Sequence, residues 1–159
     1  AVVFQKQAQT LDAAMPHIVL HHPMDEGNLG TIQRTMLGFG FKNLAVIRPA
    51  ADPFEPRVVR ASMGALFSLN VALYNDFAQY RAAYPAHALY PFMLDGAMDL
   101  DAAAVKKQTP FALIFGNEGA GLPPEFQSLG QAIKIRQSAE IDSLNLAVSA
   151  AVAMYMFAG

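Results

Sequence analysis

HIVLHHPMDEGNLGTIQRTMLGFGFKNLAVIRP, residues 17–49, alternates apolar runs with polar and glycine punctuation in a way that points to one architecture. Residues 17–20 form a short apolar run bounded by His21-His22-Pro23, which reads as a buried strand. A loop over 23–27 follows. Asn28 then stands where an N-cap is expected, and Leu29, Ile32, Met36 and Leu37 recur at helical spacing. Gly38 and Gly40 stop that helix, and residues 43–48 make a second apolar run ended by Pro49. Strand–helix–strand over so short a span is the signature of a parallel sheet.

The alternation continues outward. Residues 49–56 hold Pro49, Pro53 and Pro56 and read as a loop. A helix is expected over 57–67, a strand over 71–74, and a helix over 77–84 capped by Asn75-Asp76. Strands follow at 88–94, 111–115 and 133–135, with short helices at 100–106 and 124–129 and a terminal helix opening at Ser143. About six strands alternating with helices predict an α/β fold, a mostly parallel sheet with helices on both faces. Residues 1–16, ending at Pro16, read as a lead-in, and residues 17–159 as one domain. The sequence shows no internal repeat and no low-complexity segment.

Composition narrows the function. The 159 residues are 53% hydrophobic and only 15% charged, lean for a free-standing domain, so apolar surface is expected to meet a partner or a second copy. With no cysteine, disulfides and cysteine-based metal sites are excluded. No apolar run reaches the ~20 residues that span a bilayer, and the N-terminus lacks the plan of a signal peptide. A cytoplasmic protein is expected. The net charge of −2 supplies no basic advertisement for nucleic acid.

Four clusters hold polar groups where chemistry is expected. Asn28 lies at a strand-to-helix junction, and Arg34, about 200° around the helix from Ile32, points away from the apolar stripe; an ordinary cap and a solvated arginine give the same pattern. Ala61, Ser62, Gly64 and Ala65 permit close backbone approach, which packing alone would explain. The loop GNEGAGL, residues 116–122, spends three glycines after a strand, yet is neither GxGxxG nor a P-loop. Glu118 sits there among free amides, to fix the loop or to meet a ligand. Ser143 reads as the N-cap of the last helix. Asn145 is a polar group on a helix apolar nearly all round, expected to be buried and hydrogen-bonded. That helix is expected in the core or a subunit interface. His21, His22, Asp25 and Glu26 match no standard ligand spacing, so no metal is expected.

Taken together, NLGTIQR (28–34), FALIFGNEGAGLP (111–123) and IKIRQSAEIDSLNLAVSAAVAMY (133–155) resemble the three ordered motifs of the SpoU (TrmH-like) family of RNA ribose 2′-O-methyltransferases, of the SPOUT superfamily. RVVRASMGALF (57–67) resembles a further family segment. The resemblance implies a C-terminal deep trefoil knot, S-adenosylmethionine as cofactor, and a homodimer whose interface completes the site. It implies tRNA or rRNA as the substrate and no metal or membrane. By position, Asn28, Arg34, Glu118 and Asn145 match the family's catalytic polar residues, with Ser143 beside them. Cofactor contacts are expected from Gly116, Asn117, Ile135, Ser143 and Leu144.

The chain departs from the family where Arg136-Gln137 replaces a common Pro-Met, and where Glu140-Ile141-Asp142 replaces a small-residue turn. Many members also carry an upstream RNA-binding domain, whereas at most 16 residues precede the first strand here. Two rivals stand beside the enzyme: a non-catalytic SPOUT-like module that binds S-adenosylmethionine or RNA, and a nucleotide-binding oxidoreductase. The second would need GxGxxG after the first strand, and residues 21–30 lack it. Neither the RNA nor the nucleotide can be named from the sequence.

Overall fold

The computed structural model describes residues 9–96, 98–101 and 107–158. Its centre is a five-stranded, wholly parallel sheet built from β1 (His17–His21), β2 (Asn43–Ile47), β3 (Asn70–Tyr74), β4 (Ala88–Pro91) and β6 (Phe111–Phe115). The spatial order is β3-β2-β1-β6-β4, so β6 is inserted between β1 and β4. A second, two-stranded ribbon pairs β5 (Met98–Asp99) with β7 (Ile133–Lys134). β1, β2 and β6 are buried along their whole length, as continuous apolar strands covered on both faces must be.

One face of the sheet is covered by α1 (Glu26–Gly38), α2 (Pro56–Ala61) and α4 (Leu146–Ala158), with Leu29, Ile32, Met36, Val58 and Met154 in the core. The other face takes α3 (Phe77–Ala83) and the 3-10 helix Pro124–Ser128, through Tyr80 and Phe126. Helices on both faces are thus as expected. No helix among the described residues is long and apolar enough to cross a membrane.

α1 begins earlier than its spacing suggests. Asp25 is the N-cap, its Oδ1 accepting the Asn28 N–H at 2.7 Å, so Asn28 is a first-turn residue and not the cap. The helix ends in a Schellman turn: Phe41 N–H reaches Met36 O at 2.8 Å and Gly40 N–H reaches Leu37 O at 3.2 Å, with Gly40 left-handed at φ 81°.

The helix expected over 57–67 is broken. α2 stops at Ala61, Met63 and Gly64 take φ of 52° and 83°, and a 3-10 turn follows at Ala65–Ser68. Two left-handed residues cannot continue an α-helix, and they let the small pair Ala61-Ser62 close on α1. A Cβ on Gly30 would lie 2.4 Å from Ala61 Cβ, which shows how tightly the two helices meet. Packing therefore accounts for the small residues at 61 and 62.

The strand expected over 88–94 ends at Pro91, with Phe92 continuing as an isolated bridge to Ile133. β5 was not anticipated. Residues 1–8, and 102–106 of the helix expected at 100–106, lie outside the described residues.

Candidate functional site

In a parallel sheet, the loops after adjacent strands gather at the carboxyl edge. Here the insertion of β6 beside β1 brings the loop after β1 (22–25) against the glycine loop (116–122). His22 has a left-handed backbone, φ 57°, so its carbonyl turns toward the second loop and accepts from Asn117 Nδ2 at 2.9 Å. Glu118 accepts the backbone N–H of Asp25 at 2.9 Å and of Met24 at 3.1 Å. Between the two uses the sequence allowed, Glu118 fixes the loops together, and it also lines the cavity beside them.

The glycine loop folds on itself. Asn117 and Gly121 exchange backbone hydrogen bonds of 3.1 and 2.9 Å, and Asn117 Oδ1 accepts from Gly119 and Ala120. The fold is so tight that a Cβ on Gly116 would lie 2.1 Å from the carbonyl carbon of Gly121. The Asn117 side chain is thus spent within the protein, leaving backbone groups and the Glu118 carboxylate edge to meet a ligand.

α4 begins at Leu146, and its cap is Asn145, whose Oδ1 accepts from Ala147 N–H at 2.8 Å. Two expectations are corrected here. Ser143 is not the cap, and Asn145 is exposed rather than buried, because a capping side chain stands outside the helix it closes. Its Nδ2 donates to Asn28 Oδ1 at 3.0 Å, tying the start of α4 to the start of α1. The outer face of α4 is also open: Val148, Val152 and Tyr155, at i, i+4 and i+7, are exposed in the single chain.

A cavity of about 380 Å³ lies between the glycine loop, the end of β4 and the segment entering α4. That volume is within the range of small-molecule sites. Gly116, Asn117, Ile135, Ser143 and Leu144 all line it, as does Glu118; Asn28, Arg34 and Asn145 lie outside its lining. The structure adds Phe92, Leu94, Asp95 and Gln137, which the sequence reading missed. The first three follow from β4 ending next to β6, an adjacency invisible along the chain; Gln137 sits in the segment that leads from β7 to α4. Among the described residues the lining carries the carboxylates of Asp95 and Glu118 and no Lys or Arg. Such a pocket suits a cationic ligand with an apolar body better than a polyphosphate.

Arg34 is exposed on α1 and, among the described residues, makes no hydrogen bond or ion pair. Behind the loops, His21 stacks on His22 with ring centroids 3.8 Å apart and meets the edge of Phe126. Burial, then the neighbouring His22, lowers the His21 pKa to about 4, so the imidazole is neutral at pH 7. Among the described residues no group of three His, Asp or Glu side chains is placed to hold a metal.

The model of the SpoU rRNA Methylase family matches residues 15–155. A 23S rRNA (uridine(2479)-2′-O)-methyltransferase of Streptomyces viridochromogenes is 31% identical over 87% of this chain and 50% of its own length. An uncharacterized tRNA/rRNA methyltransferase of Synechocystis is 28% identical over 87% of the chain and 51% of its own length. The chain thus spans about half the length of these relatives. A solved structure concerned with 2-OH methylation of C/U34 on tRNA superposes with a TM-score of 0.80 at 29% identity, covering 91% of this chain and 94% of that one. The S. viridochromogenes SpoU methyltransferase AviRb, in complex with the cofactor AdoMet, superposes with a TM-score of 0.81 at 28% identity, covering 96% and 64%.

Proposed function

From the premise that the chain belongs to the SpoU rRNA methylase family, we propose that it is an S-adenosylmethionine-dependent methyltransferase acting on a ribose 2′-hydroxyl of tRNA or rRNA. The observation that carries this reading is the convergence of all three motifs. Glu118 joins the second motif to the loop before the first, Asn145 joins the third to Asn28, and one acidic-rimmed cavity lies between the second and third. The cavity fits the cofactor in kind: apolar walls from Phe92, Leu94 and Leu144 for an aromatic base, and carboxylates for a cation. Gly116, Ile135, Ser143 and Leu144 would hold it, with Asn117 keeping the loop in shape. When bound, it supplies an electrophilic methyl carbon on a sulfonium.

The chain's own residues then have two tasks. Glu118, Asn28 and Asn145 fix the loops and helix starts so that the target oxygen is presented in line, and positioning of this kind supplies much of a barrier reduction. Arg34, whose guanidinium carries only donors and no acceptor, acts on the target as an electrostatic group and not as a base. Its planar fork clamps a phosphate beside the ribose and stabilises the charge developing on the 2′-oxygen. The proton passes to that phosphate or to a group of a partner subunit.

The same reading includes a C-terminal trefoil knot and a homodimer. What supports the knot is the close threading of residues 130–134: Gly130 packs on the Leu89 carbonyl, Gly96 packs on Ile133, and the chain then returns to α4 beside α1. What supports the dimer is the open apolar face of α4, together with an Arg34 outside its own cavity's lining. Residues 17–159 form the catalytic domain of a cytoplasmic enzyme. The test is to incubate the protein with methyl-labelled S-adenosylmethionine and RNA from a strain lacking the gene, then digest to nucleosides. Label in a 2′-O-methylnucleoside is expected; label only on a base, or binding without transfer, overturns the assignment.

A further inference from the structure

The segment over 136–142 is tied down at both ends by side chains. At its start, Arg136 Nη2 donates to Asp99 Oδ2 at 3.3 Å, and Lys134 Nζ lies 3.5 Å from Asp99 Oδ1. Asp99 belongs to β5, whose pairing with β7 is extended by Leu100 N–H to Lys134 O at 2.8 Å. Asp99 Oδ1 makes no hydrogen bond, and Lys134 and Arg136 together balance the charge of the carboxylate. Across the segment, Gln137 Nε2 donates to the Asp142 carbonyl at 3.3 Å, closing the loop on itself. Gln137 also lines the cavity, as do Ile135 before it and Ser143 and Leu144 beyond Asp142.

We propose that Asp99 and Arg136, which lie outside the cavity lining, and Gln137, which is part of it, hold the cofactor site in shape: they brace residues 135–144 as one wall of the cavity from the β5–β7 ribbon. The inference rests on the reading that the cavity takes S-adenosylmethionine. It assigns the brace to affinity for the cofactor, not to the transfer step, because none of its polar links involves Asn28, Arg34, Glu118 or Asn145.

Calorimetric titration with S-adenosylhomocysteine tests it. D99N and R136Q are each expected to raise Kd by about two- to fivefold, the range that an ion pair this exposed supports. The double variant is expected to be no weaker than the worse single one, since both remove the same link. Q137A is expected to raise Kd as well, and R136K, which keeps the charge, to restore most of the affinity. S-adenosylhomocysteine has no net charge at neutral pH, so adding salt is expected to weaken binding more in the wild type than in R136Q. In turnover assays of D99N and R136Q, KM for the methyl donor rises while kcat at saturation holds. Unchanged Kd in R136Q, additive effects of D99N and R136Q, or a loss confined to kcat would each overturn the brace. If D99N does not fold, R136Q and R136K still decide it. Failure of the wild type to bind S-adenosylhomocysteine strikes at the reading of the cavity; normal binding with indifferent variants strikes only at the brace.

Discussion

At the scale of single residues, the site separates groups that hold shape from groups left to act. Asn117, Glu118 and Asn145 are committed to loop and helix-start hydrogen bonds, whereas Arg34 stands exposed without an intramolecular partner among the described residues. Arg34→Lys keeps one positive charge and loses the planar fork. Single-turnover methyl transfer is therefore expected to fall by about 10²-fold or more, as when a transition-state donor is removed, with RNA affinity little changed. Near-full turnover in Arg34→Lys would sink the clamp. The glycine loop gives a sharper contrast. An alanine Cβ at Gly116 would press on the backbone of Gly121 and Leu122 at 2.1 and 2.3 Å, atoms that no rotamer change can move aside. At Gly119 the nearest atom is Asn117 Oδ1 at 3.5 Å, an ordinary contact. Gly116→Ala is expected to cost about 1–3 kcal/mol of stability, as overpacking does, and to abolish S-adenosylhomocysteine binding. Gly119→Ala is expected to keep both, as denaturant melts and calorimetry would show.

At the scale of elements, periodicity and punctuation made much of the fold legible, and hydrogen bonds supplied the rest. The β1–α1–β2 unit follows from its apolar spacing and Gly40, and the glycine loop was singled out because backbone entropy is not given up three times in six residues without cause. The end of α2 was missed because Ala61 and Met63 before Gly64, and Ala65 and Leu66 after it, are compatible with a helix that runs on through a single glycine, whereas the backbone turns left-handed at Met63 and Gly64. The caps of α1 and α4 were each misplaced by up to three residues, since Asp25, Asn28, Ser143 and Asn145 are all competent caps in sequence and only geometry chooses among them. The lead-in shows a similar dependence on tertiary contacts. His17 Nε2–H donates to the Asp12 carbonyl at 2.9 Å, which leaves Nδ1 to accept from the Tyr80 hydroxyl at 3.0 Å. His87 donates likewise to the Met15 carbonyl at 3.0 Å, and its ring lies 4.0 Å from that of His17. Burial holds His17 near 4, against a smaller opposing effect from its bond to Asp12, and burial lowers His87 too, with nearby Arg81 adding to the shift. Their protons are thus taken up by the unfolded chain first, so stability is full above pH 6.5 and declines as pH falls toward 4. Between pH 6.5 and about 5, above the ordinary carboxylate range, the melting temperature is expected to drop, and by less in His87→Gln. A flat profile in that window would show that these imidazoles do not fasten residues 12–15.

At the scale of the whole molecule, the low charge content finds its place on α4. A helix with Leu146, Ala150, Ala153 and Phe157 buried on one side and Val148, Val152 and Tyr155 exposed on the other has no polar face to give to water. Tyr155 is 69% exposed and rests against Phe39, with ring centroids 6.0 Å apart, so the patch extends onto the end of α1. That patch is continuous with the helix carrying Arg34, and it leaves the cavity on another side of α4, where Leu146 and Ser149 line it. A second copy seated on this face would cover the stripe and bring its own Arg34 helix to the shared boundary. Light scattering is therefore expected to find a dimer for the wild type and a monomer for Val152→Glu, which sets a charge in the middle of the stripe. Because Val152 is not among the residues that line the cavity, Val152→Glu is expected to retain S-adenosylhomocysteine binding while losing methyl transfer to RNA. A wild-type monomer with full activity would remove the dimer from the account. A monomeric Val152→Glu that still methylates RNA would mean that one chain carries the whole site.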